Sequence, residues 1–171
     1  MGKKFRILVF GRGDSEDFEL KGFDIAAQAV AKLNDTNYHL TFVGAPSGSE
    51  TQVKNELLKQ GLCRSQLTVK GFLENREYLN TLFCASNLAI VPSRTEGFGL
   101  TALEALSVGL PFLVGQNSGF GEAIQKIRRG QSFIVGSEDP EHWAEAIRGV
   151  RQKGSEKARQ ECQELRTVTL C

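Results

Sequence analysis

The stretch PSRTEGFGLTALEALSVGLP, Pro92 to Pro111, places two carboxylates around a turn almost bare of side chains. Glu96 precedes Gly97-Phe98-Gly99, a helical pattern opens near Gly99 and Leu100, and Glu104 lies one to two turns further on. Backbone without side chains lets a diphosphate approach closely, and the start of a helix supplies unpaired N–H groups and a partial positive charge. Two acids beside an anion site add little for phosphate alone. They suit ligands rich in hydroxyls, because a carboxylate accepts paired hydrogen bonds from the vicinal hydroxyls of a ribose or a hexose. Phosphate flanked by two polyols describes a nucleotide-diphosphate sugar. A plainer reading makes Glu96 a helix cap and Glu104 a solvated helix position. Ala102, Leu103, Ala105 and Leu106 surround Glu104 with apolar neighbours, so the helix reads as buried nearly all round and Glu104 as a buried acid that needs a partner.

A second stretch, GRGDSEDFELKGFD from Gly11 to Asp24, contains the Arg-Gly-Asp tripeptide of adhesion proteins. It stands directly behind the apolar run FRILVF, where a strand would end in a ligand-face loop, and its useful cations are Arg12 and Lys21. A dinucleotide fingerprint fails here: Gly11 and Gly13 are followed by Glu16 where a third glycine is needed, and the second strand ends on Gly44 and Ala45 rather than on an acid. No G-K-[ST] exists for a P-loop, and no D-x-D follows a strand. His39 and His142 lie outside the strand-end loops, and Cys63, Cys84, Cys162 and Cys171 are scattered, so neither a metal site nor a disulfide framework is expected. Scattered thiols fit the reduced state of a cytoplasmic protein.

The elements that must position these residues follow from alternating patterns. Strands are expected at Phe5 to Phe10, His39 to Gly44, Gln66 to Gly71, Asn87 to Pro92, Leu110 to Gly115 and Ser132 to Gly136, each a short apolar run closed by a turn residue. Between them, helices are expected over Phe23 to Leu33, Thr51 to Gln60, Glu77 to Cys84, Gly99 to Val108 and Gly121 to Ile127. Another starts at Asp139-Pro140-Glu141, an acidic cap with proline at the first helical position, and polar helix continues after Gly154. The final TVTLC has no evident partner. The fold class is therefore α/β: one Rossmann-like, doubly wound, parallel six-stranded sheet with helices on both faces, spanning residues 1–171. Such sheets bind ligands outside the carboxyl ends of their strands, which selects loops 11–21, 44–49, 71–76, 92–99 and 115–121. Net charge is +1, so no long-range field draws the chain to nucleic acid or anionic membrane, and no apolar stretch reaches the length of a membrane span.

The run EGFGLTALEALSVGLPFLV resembles the signature of the retaining GT-B glycosyltransferases, the group 1 glycosyl transferases, in which Glu, seven residues and Glu precede a G-x-P turn into a strand. Glu96, Glu104, Gly109 and Pro111 match it, and FGR, Lys21-Gly22, TFVG, VKGF, SNLAIVPS and SGFGEAI extend the likeness over nearly the whole chain. The resemblance implies the C-terminal, donor-binding half of a GT-B fold. It implies that Arg12 and Lys21 neutralise the donor diphosphate, that Glu96 binds the hydroxyls of the transferred sugar, and that Glu104 takes the ribose hydroxyls. The backbone of Gly11, Gly97, Phe98, Gly99 and Leu100 would meet phosphate and sugar, while Gly71, Phe72 and Leu73 would frame the base; Glu122 aligns with a further family glutamate. No cofactor and no metal is implied, since two fixed cations and a helix terminus stabilise a departing UDP or GDP.

Two features depart from the family pattern. Asp14, Glu16, Asp17 and Glu19 form an acidic spacer between the two cations. The N-terminal acceptor domain of a two-domain GT-B enzyme is also absent from the sequence, so an acceptor domain or partner chain is expected to complete the cleft. A nucleotide-sugar sensor without transferase activity, inside a larger multidomain protein, is the alternative.

Overall fold

The computed structural model describes residues 4–11, 22–71, 75–92, 100–128 and 130–170. Six strands form one sheet: β1 (Phe5–Phe10), β2 (Tyr38–Ala45), β3 (Leu67–Gly71), β4 (Leu88–Val91), β5 (Phe112–Gly115) and β6 (Ile134–Val135). Their order is β3-β2-β1-β4-β5-β6 and every pairing is parallel. The helices are α1 (Phe23–Lys32), α2 (Glu50–Leu58), α3 (Arg76–Ala85), α4 (Leu100–Val108), α5 (Gly119–Gln125), α6 (Pro140–Lys153) and α7 (Ser155–Leu170).

Strand periodicity divides the core into two layers. Ile7 and Val9 of β1 face one side with Leu40, Phe42, Leu88 and Ile90, where α1, α2 and α6 close over them through Phe23, Leu57 and Trp143. Leu8 and Ala89 point to the opposite side, covered by Phe83 of α3, Leu106 of α4, Phe120 of α5 and Leu165 of α7. Because both faces are covered, the central strands are apolar without alternation, as parallel strands require. Trp143 is 1 % exposed yet satisfies its indole N–H by donating to the Ser137 carbonyl at 2.8 Å.

Several element ends differ from the sequence expectation, each for a local reason. β5 starts at Phe112 rather than Leu110, because Gly109 takes φ +77° to stop α4, Leu110 N–H donates back to Ala105, and the Pro111 carbonyl accepts from Ala89. β6 shrinks to two residues: Gly130–Phe133 coils into a 3-10 turn first, and only Ile134 and Val135 pair with Val114 and Gly115. α5 begins at Gly119, two residues early, since the Ser118 hydroxyl caps it by accepting from Gly121 N–H at 2.8 Å. The Asp139 cap and Pro140 at the helix start are as expected. Thr167 to Leu170 continue α7, which buries Ala158, Cys162 and Leu165.

Candidate functional site

The strand order reverses between β1 and β4, and this switch point is where a doubly wound sheet opens a crevice for ligand. β1 ends at Phe10 and runs into the loop that carries Arg12 and Lys21; β4 ends at Val91 and runs into the loop that carries Glu96. The two loops that hold the expected chemistry thus leave neighbouring strands on the same edge of the sheet. Arg12, Lys21, Phe72, Leu73, Glu96, Gly97, Phe98 and Gly99 lie outside the described residues. Gly11, Gly71, Leu100 and Glu104 lie within them.

Close backbone approach fixes the roots of both loops. Gly22 holds φ +73° as the cap of α1, and a Cβ there would overlap the carbonyl oxygen of Pro92. The residue after Lys21 is therefore wedged against the residue that opens the Glu96 loop, and only glycine fits. One strand away, a Cβ on Gly44 (φ +116°) would overlap the Gly11 carbonyl, and Gly11 N–H donates to Val43 at 3.0 Å. Gly11 itself lies under the Phe23 ring, which a Cβ would strike. Three backbone segments, at the ends of β1, β2 and β4, are packed closer than side chains allow. Gly22 and Pro92 were not singled out from the sequence; the only signal was the dipeptide Lys21-Gly22 behind a long acidic spacer.

α4 begins at Leu100 after β4, so its N-terminus lies toward the same edge of the sheet, and the first amides of a helix have no partner within the helix. The apolar neighbours of Glu104 proved a partial guide: Ala102, Ala105 and Leu106 are buried, but Glu104 is exposed. The expectation of a buried acid is thereby corrected. α4 buries one face against β4, β5 and α7, and Glu104 and Ser107 project from the other. Among the described residues no ion pair or side-chain hydrogen bond engages the Glu104 carboxylate. Glu122, in the first turn of α5, is likewise exposed.

At the outer edge, the carboxyl end of β3 brings Gly71 opposite Ala45, after a register break between Val43 and Ala45. Glu50, the first residue of α2, lies over Gly71 with Oε1 3.1 Å from where a Cβ would stand. Glu50 does not stand out in the sequence, since an acid at the first turn of a helix reads as a dipole complement. Among the described residues no three His, Cys, Asp or Glu side chains are grouped to hold a metal ion.

A family model described as family 4 glycosyltransferase in conflict systems matches residues 1–169. The chain belongs to this glycosyltransferase family. It is also similar to D-inositol 3-phosphate glycosyltransferase of Mycobacterium avium, with 35% identity over 136 residues that cover 77% of this chain and 30% of that protein. The chain therefore spans about 30% of the length of that curated relative. Among solved structures, the C-terminal domain of a group 1 glycosyl transferase from Francisella tularensis superposes with TM-score 0.77 and 21% identity, covering 99% of this chain and 88% of that one. Sucrose-phosphate synthase from Thermosynechococcus elongatus gives TM-score 0.78 and 25% identity over 98% of this chain and 41% of that one. The six-stranded parallel sheet of this glycosyltransferase-family domain has the architecture of a GT-B C-terminal half. Among the described residues no helix is long and apolar enough to cross a membrane.

Proposed function

We propose that this domain binds a nucleotide-diphosphate sugar as the donor half of an anomer-retaining, metal-independent glycosyltransferase whose acceptor half is supplied by another domain or chain. The observation that supports the reading is the β1/β4 switch point: β1 and β4 are neighbours, Gly22 packs against Pro92 at the roots of the segments that carry Arg12, Lys21 and Glu96 in the sequence, and α4 starts at Leu100. Arg12 and Lys21 offset the charge that builds on the leaving nucleoside diphosphate, helped by the amide groups at Leu100 and by the backbone of Gly11, Gly97, Phe98 and Gly99. Glu96 holds the sugar hydroxyls, Glu104 the ribose hydroxyls, and Gly71, Phe72 and Leu73 frame the base. A donor of UDP or GDP type fits this set, and the chain's working compartment is the cytoplasm, where such donors and reduced thiols coexist.

A second reading has its own support. The matched family is described as acting in conflict systems, and the acidic spacer Asp14 to Glu19 places like charge beside the proposed phosphate cations. A domain that only senses nucleotide sugars within a larger protein fits both facts.

Calorimetric titration with UDP-, GDP- and ADP-sugars tests the shared foundation. At least one donor should bind the intact chain, Arg12→Ala and Glu96→Ala should each weaken it by about tenfold or more, and a chelator should leave affinity unchanged. Absence of any binding refutes both readings, and binding untouched by both substitutions refutes the site. Sugar transfer or hydrolysis by the parent protein then separates transferase from sensor.

A further inference from the structure

We propose that Glu50 is a base-reading residue and that it selects guanine, so that the domain takes a GDP-linked rather than a UDP-linked donor. The inference rests on the nucleotide-sugar reading above, which puts the base at the carboxyl end of β3.

Chain geometry aims this carboxylate at that end. The register break between Val43 and Ala45 sets Ala45 opposite Gly71, and bulges of this kind re-aim the residues that follow them. Pro46 to Ser49 then make a tight turn, closed by Ser49 N–H donating to the Pro46 carbonyl at 2.8 Å and helped by Gly48 at φ +83°. Glu50 emerges from that turn directly over Gly71, with Oε1 3.1 Å from the position of an absent Cβ. A Cβ at position 71 would press on the carboxylate, so glycine leaves the backbone and Glu50 undisturbed on one wall. Glu50 is half-buried, and among the described residues it has no ion pair and no side-chain hydrogen bond. Lys54, one turn on, and Lys70 at the end of β3 leave it unpaired; Lys70 donates instead to the Tyr78 hydroxyl at 2.9 Å.

An ionised carboxylate only accepts hydrogen bonds, through two adjacent oxygens. Guanine presents two adjacent donors, N1–H and the N2 amino group, that match both oxygens at once. Uracil presents one N–H between two carbonyl oxygens, which face the carboxylate with like partial charge. Adenine and cytosine offer one amino donor beside a ring acceptor. A helix-start acid that serves only the dipole of α2 has no reason to distinguish among these bases, and that difference makes the role testable.

Titrating the chain with GDP, IDP, UDP and ADP, and repeating the series on Glu50→Gln and Glu50→Ala, reads the preference directly. GDP should bind on the order of tenfold more tightly than UDP or ADP, and IDP, which lacks the N2 amino group, should fall toward UDP. Both substitutions should bring GDP and UDP to similar affinity, weakening GDP and relieving the like charge that faces the uracil carbonyls, and leave melting temperature close to the parent. If GDP and UDP bind alike, or if the preference survives Glu50→Ala, the assignment to Glu50 is wrong while the nucleotide site stands. If none of the four binds, the nucleotide reading itself falls and takes this inference with it.

Discussion

His39 shows how a residue outside the ligand edge tunes the domain. It sits in β2, its Nε2 2.7 Å from the Thr68 hydroxyl and its Nδ1 3.2 Å from the Ser65 carbonyl. A carbonyl only accepts, so Nδ1 carries the proton and Nε2 accepts from Thr68 in the neutral ring. Desolvation is the main force that lowers its pKa below 6.5, with the positive charges of Lys4 and Arg6 adding to it against the favourable bond to Ser65. A lowered histidine pKa means that the unfolded chain binds more protons than the folded one in the window just below pH 6.5. Stability is therefore full above about pH 6.5 and declines as pH falls through that window. Melting temperature followed by circular dichroism should drop between pH 7.5 and pH 5.5, and His39→Gln should flatten that slope. Asp35, whose pKa is lowered chiefly by the backbone N–H of Asn37, acts in the same direction but only below its ordinary value of 3.8, so it does not confuse the test. At the same scale, Glu104 is the site residue whose environment the sequence misjudged: apolar neighbours one and two positions away along a helix lie on other faces, and its own direction was set by which side of α4 met the sheet.

Among the elements, the positions that matter most are the joints between strand ends and loops. The strands and helices themselves were legible from apolar runs and their punctuation, because a strand covered on both faces has no choice but to be apolar throughout. The strand order and the backbone contacts it creates were not legible, since Gly22 against Pro92 and Gly44 against Gly11 depend on which strands become neighbours. The sequence marks such glycines only as turn signals. Gly22→Ala tests the joint: it demands a left-handed conformation of a residue with a Cβ and forces that Cβ into the Pro92 carbonyl. A loss of about 1–3 kcal/mol in urea-denaturation stability is expected, together with weaker nucleotide-diphosphate binding as the Lys21 and Glu96 loops are forced apart. Gly109→Ala is the matched control, with φ +77° but its nearest neighbour, Gln163 Oε1, 3.9 Å away at the opposite end of the sheet. That variant should pay the conformational penalty alone, and its ligand affinity should equal the parent's. Equal affinity in both variants would remove Gly22 from the site and leave it a turn residue.

For the whole molecule, the question is whether α7 belongs to the cooperative unit or rides on it. Its sequence is polar, and nothing in the periodicity of Ser155 to Leu170 indicated that it would help to close a core. Three buried side chains nevertheless tie it to the α4 side of the sheet: Ala158, Cys162 and Leu165. Cys162 Sγ lies 3.3 Å from the Leu110 carbonyl, Arg159 donates to the Ser86 carbonyl at 3.0 Å, and Lys153 pairs with Glu161 at 2.6 Å across the α6/α7 junction. The first two anchors reach the starts of β4 and β5, the strand that leads to the Glu96 loop and the strand that follows the G-x-P turn. Burial pushes the Cys162 thiol up to about 12, so in the folded state it is almost wholly protonated at neutral pH as well as shielded. Cys63 and Cys84 are exposed and serve as internal references. Brief alkylation at pH 7.5 with peptide mass spectrometry should modify Cys63 and Cys84 in buffer and leave Cys162 intact. Along a urea gradient, Cys162 should become reactive at the same midpoint as the loss of far-ultraviolet circular dichroism, because Cys162 and Leu165 share one buried cluster with Phe83, Leu106 and Phe112. Reactivity that rises well before the global transition would instead make α7 a separately detachable strap, and the strands it anchors would then owe their stability to the sheet and α4 alone.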